Sequence, residues 1–270
     1  MRVIILTSNK KGTASYCLSV LLERADADIV QVIYNRGQVK NKTKYYRQKI
    51  RKTFKIGLFG AINGIRMRKW YAITTVDGRP IEDIEAICKN KNIPFSVTEG
   101  INTLTTMELM TACNADLGLS LGNSYISPKV FSIPRNGMIN IHGEILPKFQ
   151  NAQSVIWQLH EGNAETGYTI HKVEKKIDTG RILKQEKFPI LFRETLGQTV
   201  ADTCTEILKR AANGLADVIT DYQRYDQAAV AQGAGNSYTT PSLRQFFKIM
   251  KNFRKLKRAG TGKQEYIKGK

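Results

Sequence analysis

"ADLGLSLGNSYISPKVFSIPRNGMINIH", residues 115–142, holds two short apolar runs, "LGLSL" and "MINI", separated by a stretch rich in serine, proline and asparagine. Runs of that length between turn residues read as strands covered on both faces, the kind found in parallel sheets. The stretch between them reads as a loop leaving a strand. The second run ends unusually, with Asn140 and His142 two positions apart. Alternate side chains share a face in a strand, so these two point one way while Ile139 and Ile141 point the other. Ligands of parallel sheets bind beyond the carboxyl ends of the strands, where this polar pair sits. Hydrogen bonding to the following loop is the plainer alternative.

Working outward, "PIEDIEAICKNKN" reads as a helix, "IPFSVTE" as a strand and "TTMELMTACN" as a helix; "RVIILTS", "YCLSVLLERA" and "DIVQVIYN" give a strand, a helix and a strand at the start. Such alternation predicts an α/β fold with a mostly parallel sheet and crossover helices. The first loop carries Lys11, Gly12 and Thr13 but no G-x-G-x-x-G, so it does not read as a dinucleotide site. A basic, hydroxyl-bearing loop before a helix can hold a phosphate, with a solvated turn as the alternative. Downstream, "NAQSVIWQLHEGN" reads as a helix, "TGYTIHKVE" as a strand, "KKIDTG" as a turn and "RILKQEKFPI" as a strand. Val200, Cys204, Ile207, Leu208, Ala211, Leu215, Val218 and Ile219 then form the stripe of a long helix. A last helix is expected to open on Thr240 and Pro241, with Leu243, Phe246, Phe247, Met250 and Phe253 as its apolar side and a frayed end over 261–270. The expected division is a catalytic domain over 1–190, with an insert at 36–70, and a helical extension over 191–270.

The chain has 270 residues, 41% of them apolar, and a formal net charge of +19, which calls for an anionic partner. Much of the charge lies in the insert, where no acidic residue occurs between Ile29 and Val76. Tyr46, Ile50, Phe54 and Leu58 recur four apart beside Arg47, Arg51 and Lys55, the pattern of an amphipathic basic helix. Anionic lipid, RNA and packing on its own domain are the three readings of such a segment. The apolar runs are shorter than the roughly 18 residues a membrane span needs, and the N-terminus has no leader pattern, so a cytoplasmic location is expected. Cys17, Cys88, Cys113 and Cys204 lack ligand spacing, so no metal site is expected and they read as buried thiols.

Asp178, in the turn after another strand, is the partner an imidazole needs to fix its orientation and stabilise its protonated form. Asparagine has an amide hydrogen suited to a developing oxyanion. No serine or cysteine shows a nucleophile elbow, so Asn140, His142 and Asp178 fit acyl transfer to an incoming nucleophile. Of the other histidines, His160 reads as a helix-end residue and His171 as a packed strand residue.

"NIHGEILPKFQNAQSVIWQLHEGNAETGYTIHKVEKKIDTGRIL" resembles the folate-dependent formyltransferase family. Asn140 and His142 match its N-x-H, Ile145-Leu146-Pro147 its L-L-P, Ile156-Trp157 its helix patch, Thr166-Gly167 with His171 its T-G-x-x-x-H, and Asp178 with Gly180 its D-x-G. The His142 to Asp178 interval also matches. The resemblance implies a Rossmann-like sheet, 10-formyltetrahydrofolate as co-substrate, and formyl transfer to a primary amine. It implies that His142 manages the amine proton, Asn140 the oxyanion, and Asp178 the orientation of His142. It places the folate at Leu121, Gly122 and the loop containing Val173, Ile177 and Thr179.

Gly143, Glu144, Gln150 and Asn151 depart from the family pattern on the side where the acceptor would lie. Gln150 and Asn151, with Lys11, Gly12 and Thr13, are the substrate-binding candidates. The expected acceptor is a nucleotide-linked amino sugar used in surface glycan or lipopolysaccharide synthesis, because the tail after Ile190 reads as helical rather than as the β-barrel of methionyl-tRNA formyltransferases. Methionyl-tRNA and glycinamide ribonucleotide are the alternative acceptors, and an RNA-binding module is the non-enzymatic rival. The remaining expectations are a homodimer and peripheral contact of 36–70 with the inner face of an anionic membrane, with nucleic acid ranked below these.

Overall fold

The computed structural model describes residues 1–37, 42–151 and 153–268. Residues 38–41 of the insert, the side chain of Lys55 and the last two residues of the tail lie outside the described residues. The chain opens with β1 (Arg2–Thr7), α1 (Thr13–Arg24) and β2 (Asp28–Asn35), followed by the insert helix α2 (Lys42–Arg68). A two-stranded hairpin of β3 (Thr75–Val76) and β4 (Arg79–Pro80) leads to α3 (Ile84–Asn90), β5 (Phe95–Thr98), α4 (Leu104–Ala112) and β6 (Leu117–Leu121). Next come α5 (Pro128–Phe131), β7 (Met138–His142), α6 (Ile156–His160), β8 (Glu165–Lys172) and β9 (Ile182–Pro189). Three helices finish the described chain: α7 (Leu196–Thr220), α8 (Tyr222–Gln227) and α9 (Leu243–Lys268).

Seven strands form one sheet in the order β5-β2-β1-β6-β7-β8-β9. The first five are parallel, while β8 and β9 are antiparallel. Strand alternation divides the core in two. Val3 and Ile5 of β1 join Leu18, Trp157, Leu208 and Leu215 on one face, and Ile4 and Leu6 join Met110 and Val130 on the other. The expected α7 stripe is buried throughout, from Val200 to Ile219. Its start is fixed by a capping box between Thr195 and Gln198, which satisfies backbone donors that a helix end would otherwise leave bare.

Two consequences of this order position the site. The chain goes from β1 to β2 on one side and later to β6 on the other, so the crevice of a doubly wound sheet opens between β1 and β6. Parallel pairing of β6 with β7 runs only from Gly118↔Met138 to Ser120↔Asn140, whereas β7 pairs with β8 on to His142↔Thr169. The last two residues of β7 therefore lie beyond its pairing with β6.

Several local expectations are corrected. The loop between the two opening strands contains α5, which buries Val130 and starts on Pro128, a residue preorganised for a first turn. The helix expected from Asn151 begins only at Ile156, because Val155 has φ 71 and cannot continue a right-handed helix backward. The last helix is capped two residues later than expected: the Ser242 amide and hydroxyl both donate to the Gln245 Oε1, and the Phe246 amide donates to the Ser242 carbonyl. Phe253 is buried and Phe247 exposed, so its inner face is narrower than the apolar pattern suggests.

The insert is helical, but Gly57 (φ 74, ψ 169) kinks it. Its packed side is Ile56, Asn63 and Met67, not the row from Tyr46 to Leu58, all four of which are exposed. Glycines make that packing possible: a Cβ at Gly60 would stand 3.2 Å from the Pro241 carbonyl oxygen, and one at Gly64 3.0 Å from Thr240 Cγ2.

Candidate active site

At the carboxyl end of β7 four side chains converge on one cavity. Asn140 lies directly opposite His171 in the β7–β8 pair, which brings its Nδ2 within 3.3 Å of His171 Nε2. The turn after β8 returns Asp178 to the same place, with φ 55. One Asp178 oxygen lies 3.7 Å from His142 Nδ1, and the other 3.7 Å from His171 Nε2. The Asn151 amide donates to Asp178 Oδ2 at 3.0 Å and fixes the carboxylate.

Carbonyl partners settle the protons on both rings. His171 Nδ1 stands 2.8 Å from the Lys172 carbonyl oxygen, which can only accept, so Nδ1 carries hydrogen. Burial pushes the His171 imidazole down to about 4, so it is neutral near pH 7 and its Nε2 accepts. The Asn140 atom facing it must then be the amide nitrogen, whose second hydrogen is left for another acceptor. By the same logic His142 Nε2, 2.9 Å from the Phe149 carbonyl oxygen, donates there and leaves Nδ1 facing Asp178. At 3.7 Å that pair is longer than a hydrogen bond, a length often seen in ligand-free sites.

The cavity holds about 360 Å³. One wall is the loop after β6, with Gly122, Asn123 and Ile126, and the other is the loop after β8, with Val173, Lys176 and Ile177. Asn123 ties the crevice together. Its Nδ2 donates to the Leu6 carbonyl and its Oδ1 accepts from Ser8 Oγ and Asn35 Nδ2, which joins the ends of β1, β2 and β6.

Of the residues expected here, Asn140, His142, Asp178, Gly122, Val173, Ile177 and Asn151 line the cavity. Leu121 is buried in the core behind it, and Thr179 closes its own turn by donating to the Lys176 carbonyl. Gln150 is bridged to Ser237 and does not line the cavity. Lys11, Gly12 and Thr13 are at the start of α1, where Gly12 takes φ 103, and none of them lines the cavity. His160 closes α6 and pairs with Glu161.

His171 is buried as expected, yet it belongs to the polar cluster, which strand parity across β7 and β8 signals only once their pairing is known. Asn123 was not foreseen; an asparagine just after an apolar strand was its only mark. Glu144, two residues beyond His142, is fully buried, and neither oxygen has a hydrogen-bond partner among the described residues. Burial pushes its carboxyl well above the usual range.

Residues 105–213, which include this whole cluster, match the formyl transferase family. Over 133 residues, 49% of this chain and 40% of the relative, the sequence is 30% identical to the methionyl-tRNA formyltransferase of Chlorobium chlorochromatii (strain CaD3). The chain spans less than half the length of the curated relatives it matches. Among solved structures, glycinamide ribonucleotide transformylase 1 from Symbiobacterium toebii shares the fold with TM-score 0.58 at 17% identity, over 87% of this chain and 92% of that one. A sugar 3N-formyl transferase, solved in the presence of dTDP and 5-N-formyl-THF, superposes with TM-score 0.53 at 18% identity, over 88% of this chain and 69% of that one. The segment that carries Asn140, His142, His171 and Asp178 is thus the part of the chain that matches the formyl transferase family.

Proposed function

We propose that the protein transfers the formyl group of 10-formyltetrahydrofolate to the primary amine of a nucleotide-linked amino sugar destined for a surface glycan. The observation that carries the transfer reading is the convergence of Asn140, His142 and Asp178 on one cavity within the family segment. The cavity suits a flat donor with an anionic tail. Ile126, Val173 and Ile177 offer apolar walls, Ser120 and Asn123 a polar floor, and Lys176 a cation at the rim.

In the reaction the amine nitrogen bonds to the formyl carbon, and the bond from that carbon to the folate nitrogen breaks. Asn140 keeps one amide hydrogen on His171 and offers the other to the oxyanion, a preorganised donor of the kind worth about 2.7–4 kcal/mol. His142, held through Nε2 on the Phe149 carbonyl, takes the amine proton at Nδ1. The Asp178 charge beside Nδ1 stabilises the imidazolium so formed, which then gives that proton to the departing folate nitrogen and returns to its neutral form. Proton management of this sort contributes about 10²–10⁴ in rate. His171 is the positioning residue for Asn140, and Asn151 for Asp178.

Two features favour a nucleotide-linked amino sugar. The net charge of +19 suits a phosphate-bearing acceptor. The sugar 3N-formyl transferase solved in the presence of dTDP, whose fold this chain resembles, supports the same acceptor class. The test supplies 10-formyltetrahydrofolate with nucleotide-linked amino sugars, glycinamide ribonucleotide or methionyl-tRNA and follows the tetrahydrofolate released. Release with an amino sugar alone is the expected result. Release only with either of the other two replaces the acceptor, and release with no amine ends the transfer reading.

A further inference from the structure

The two helices that the transfer chemistry does not use, α2 and α9, lie side by side. Phe59 and Phe246 join them, with ring centroids 5.8 Å apart. Between them runs a trough of about 1080 Å³ floored by Phe59, Ile62, Phe246 and Met250. Arg66, Lys251, Arg254, Lys255 and Arg258 line the same trough, and no carboxylate does so among the described residues. Beyond the Gly57 kink, Tyr46, Ile50, Phe54 and Leu58 enclose a second apolar recess of about 530 Å³. Phe54 is 85% exposed, Leu58 74% and Phe247 65%.

Singly exposed apolar side chains are ordinary, but a continuous set of them with a basic border marks an interaction surface. We propose that this face, α2 with the α2–α9 trough, docks the protein on a bilayer containing anionic lipid, with Phe54 and Leu58 entering the acyl boundary and the trough cations meeting phosphate headgroups. The composition selects this partner. An isologous contact with a second copy would bring the two cationic borders together. Bases could stack on Tyr46, Phe54 and Phe247, but Ile50, Leu58, Ile62 and Ile65 are equally exposed aliphatic side chains that RNA would leave in water. Those side chains and a basic border are what an interfacial helix presents to anionic lipid.

The proposal does not depend on formyl transfer and is tested by flotation of the full chain with vesicles. Phosphatidylcholine mixed with phosphatidylglycerol should carry the protein upward, pure phosphatidylcholine should not, and high salt should release it. Phe54→Ser with Leu58→Ser, and separately Lys251→Glu with Arg254→Glu, should each cut the bound fraction about tenfold while thermal melts stay unchanged. Failure to float with anionic vesicles, or equal flotation with neutral ones, overturns the proposal. So does loss, in the same variants, of RNA retention or of a concentration-dependent dimer in a protein that does not float.

Discussion

The end of β7 and the face of α2 break the same packing rule in opposite directions. At β7 polar and ionisable groups are buried, with His171 2% exposed and Glu144 fully enclosed. On α2 apolar side chains are left in solvent, with Phe54 85% exposed. Buried polar groups are tolerated where they hold one another, as Asn140, His171, Asp178 and the Asn151 amide do. Exposed apolar groups have no such internal partner, so they point to something outside the molecule. Glu144 apart, the first region is a site that completes itself, and the second is a surface that does not.

Removing side chains from the first region should have the largest effect. His142→Ala and Asn140→Ala are each expected to lower kcat by about 10²–10³ with an unchanged melting curve, read by tetrahydrofolate release. Equal activity in either variant would leave the cluster a structural feature only.

Next in size is a backbone test of the scaffold that brings Asp178 back. A Cβ at Gly167 would run into the Glu186 carbonyl oxygen of the neighbouring strand β9. Gly167→Ala should therefore cost about 3 kcal/mol or more of stability, measured by denaturant melts.

The two buried titratable groups should move stability with pH in opposite senses. His171 has its folded value lowered to about 4 from 6.5, so its contribution is present above 6.5 and is lost as pH falls through about 4. A His171→Gln chain should lose less stability than the native chain over that interval. Glu144 has its folded value raised, so the native chain loses stability as pH rises above the ordinary carboxylate range. Glu144→Gln should therefore melt higher than the native chain at neutral pH, with the gain disappearing on acidification.

The smallest effect belongs to the second region. Phe54→Ser should change stability by no more than about 0.5 kcal/mol, while Phe253→Ala, at a buried position of the adjoining helix, should cost about 3–5 kcal/mol. If Phe54→Ser were as damaging as Phe253→Ala, the face of α2 would be internal packing and the comparison between the regions would fail.

Periodicity alone determined the alternating α/β architecture, the buried stripe of α7 and the misfit of Asn140 and His142 in an apolar strand. Those properties are local, set by which neighbours share a face along a few residues. Asp178 joined the same group by its place in a turn after a strand and by what an imidazole needs, and the order of the family motifs agreed. Pairing was beyond reach. That Asn140 stands opposite His171 depends on β8 running antiparallel to β7, and the register of two strands is fixed by the whole sheet. The inner and outer faces of α2 were likewise undetermined, since a basic helix apolar on more than one side gives no period that chooses between them. Gly60 and Gly64, by letting Thr240 and Pro241 come close, made Ile56, Asn63 and Met67 the packed side and left Phe54 and Leu58 outside.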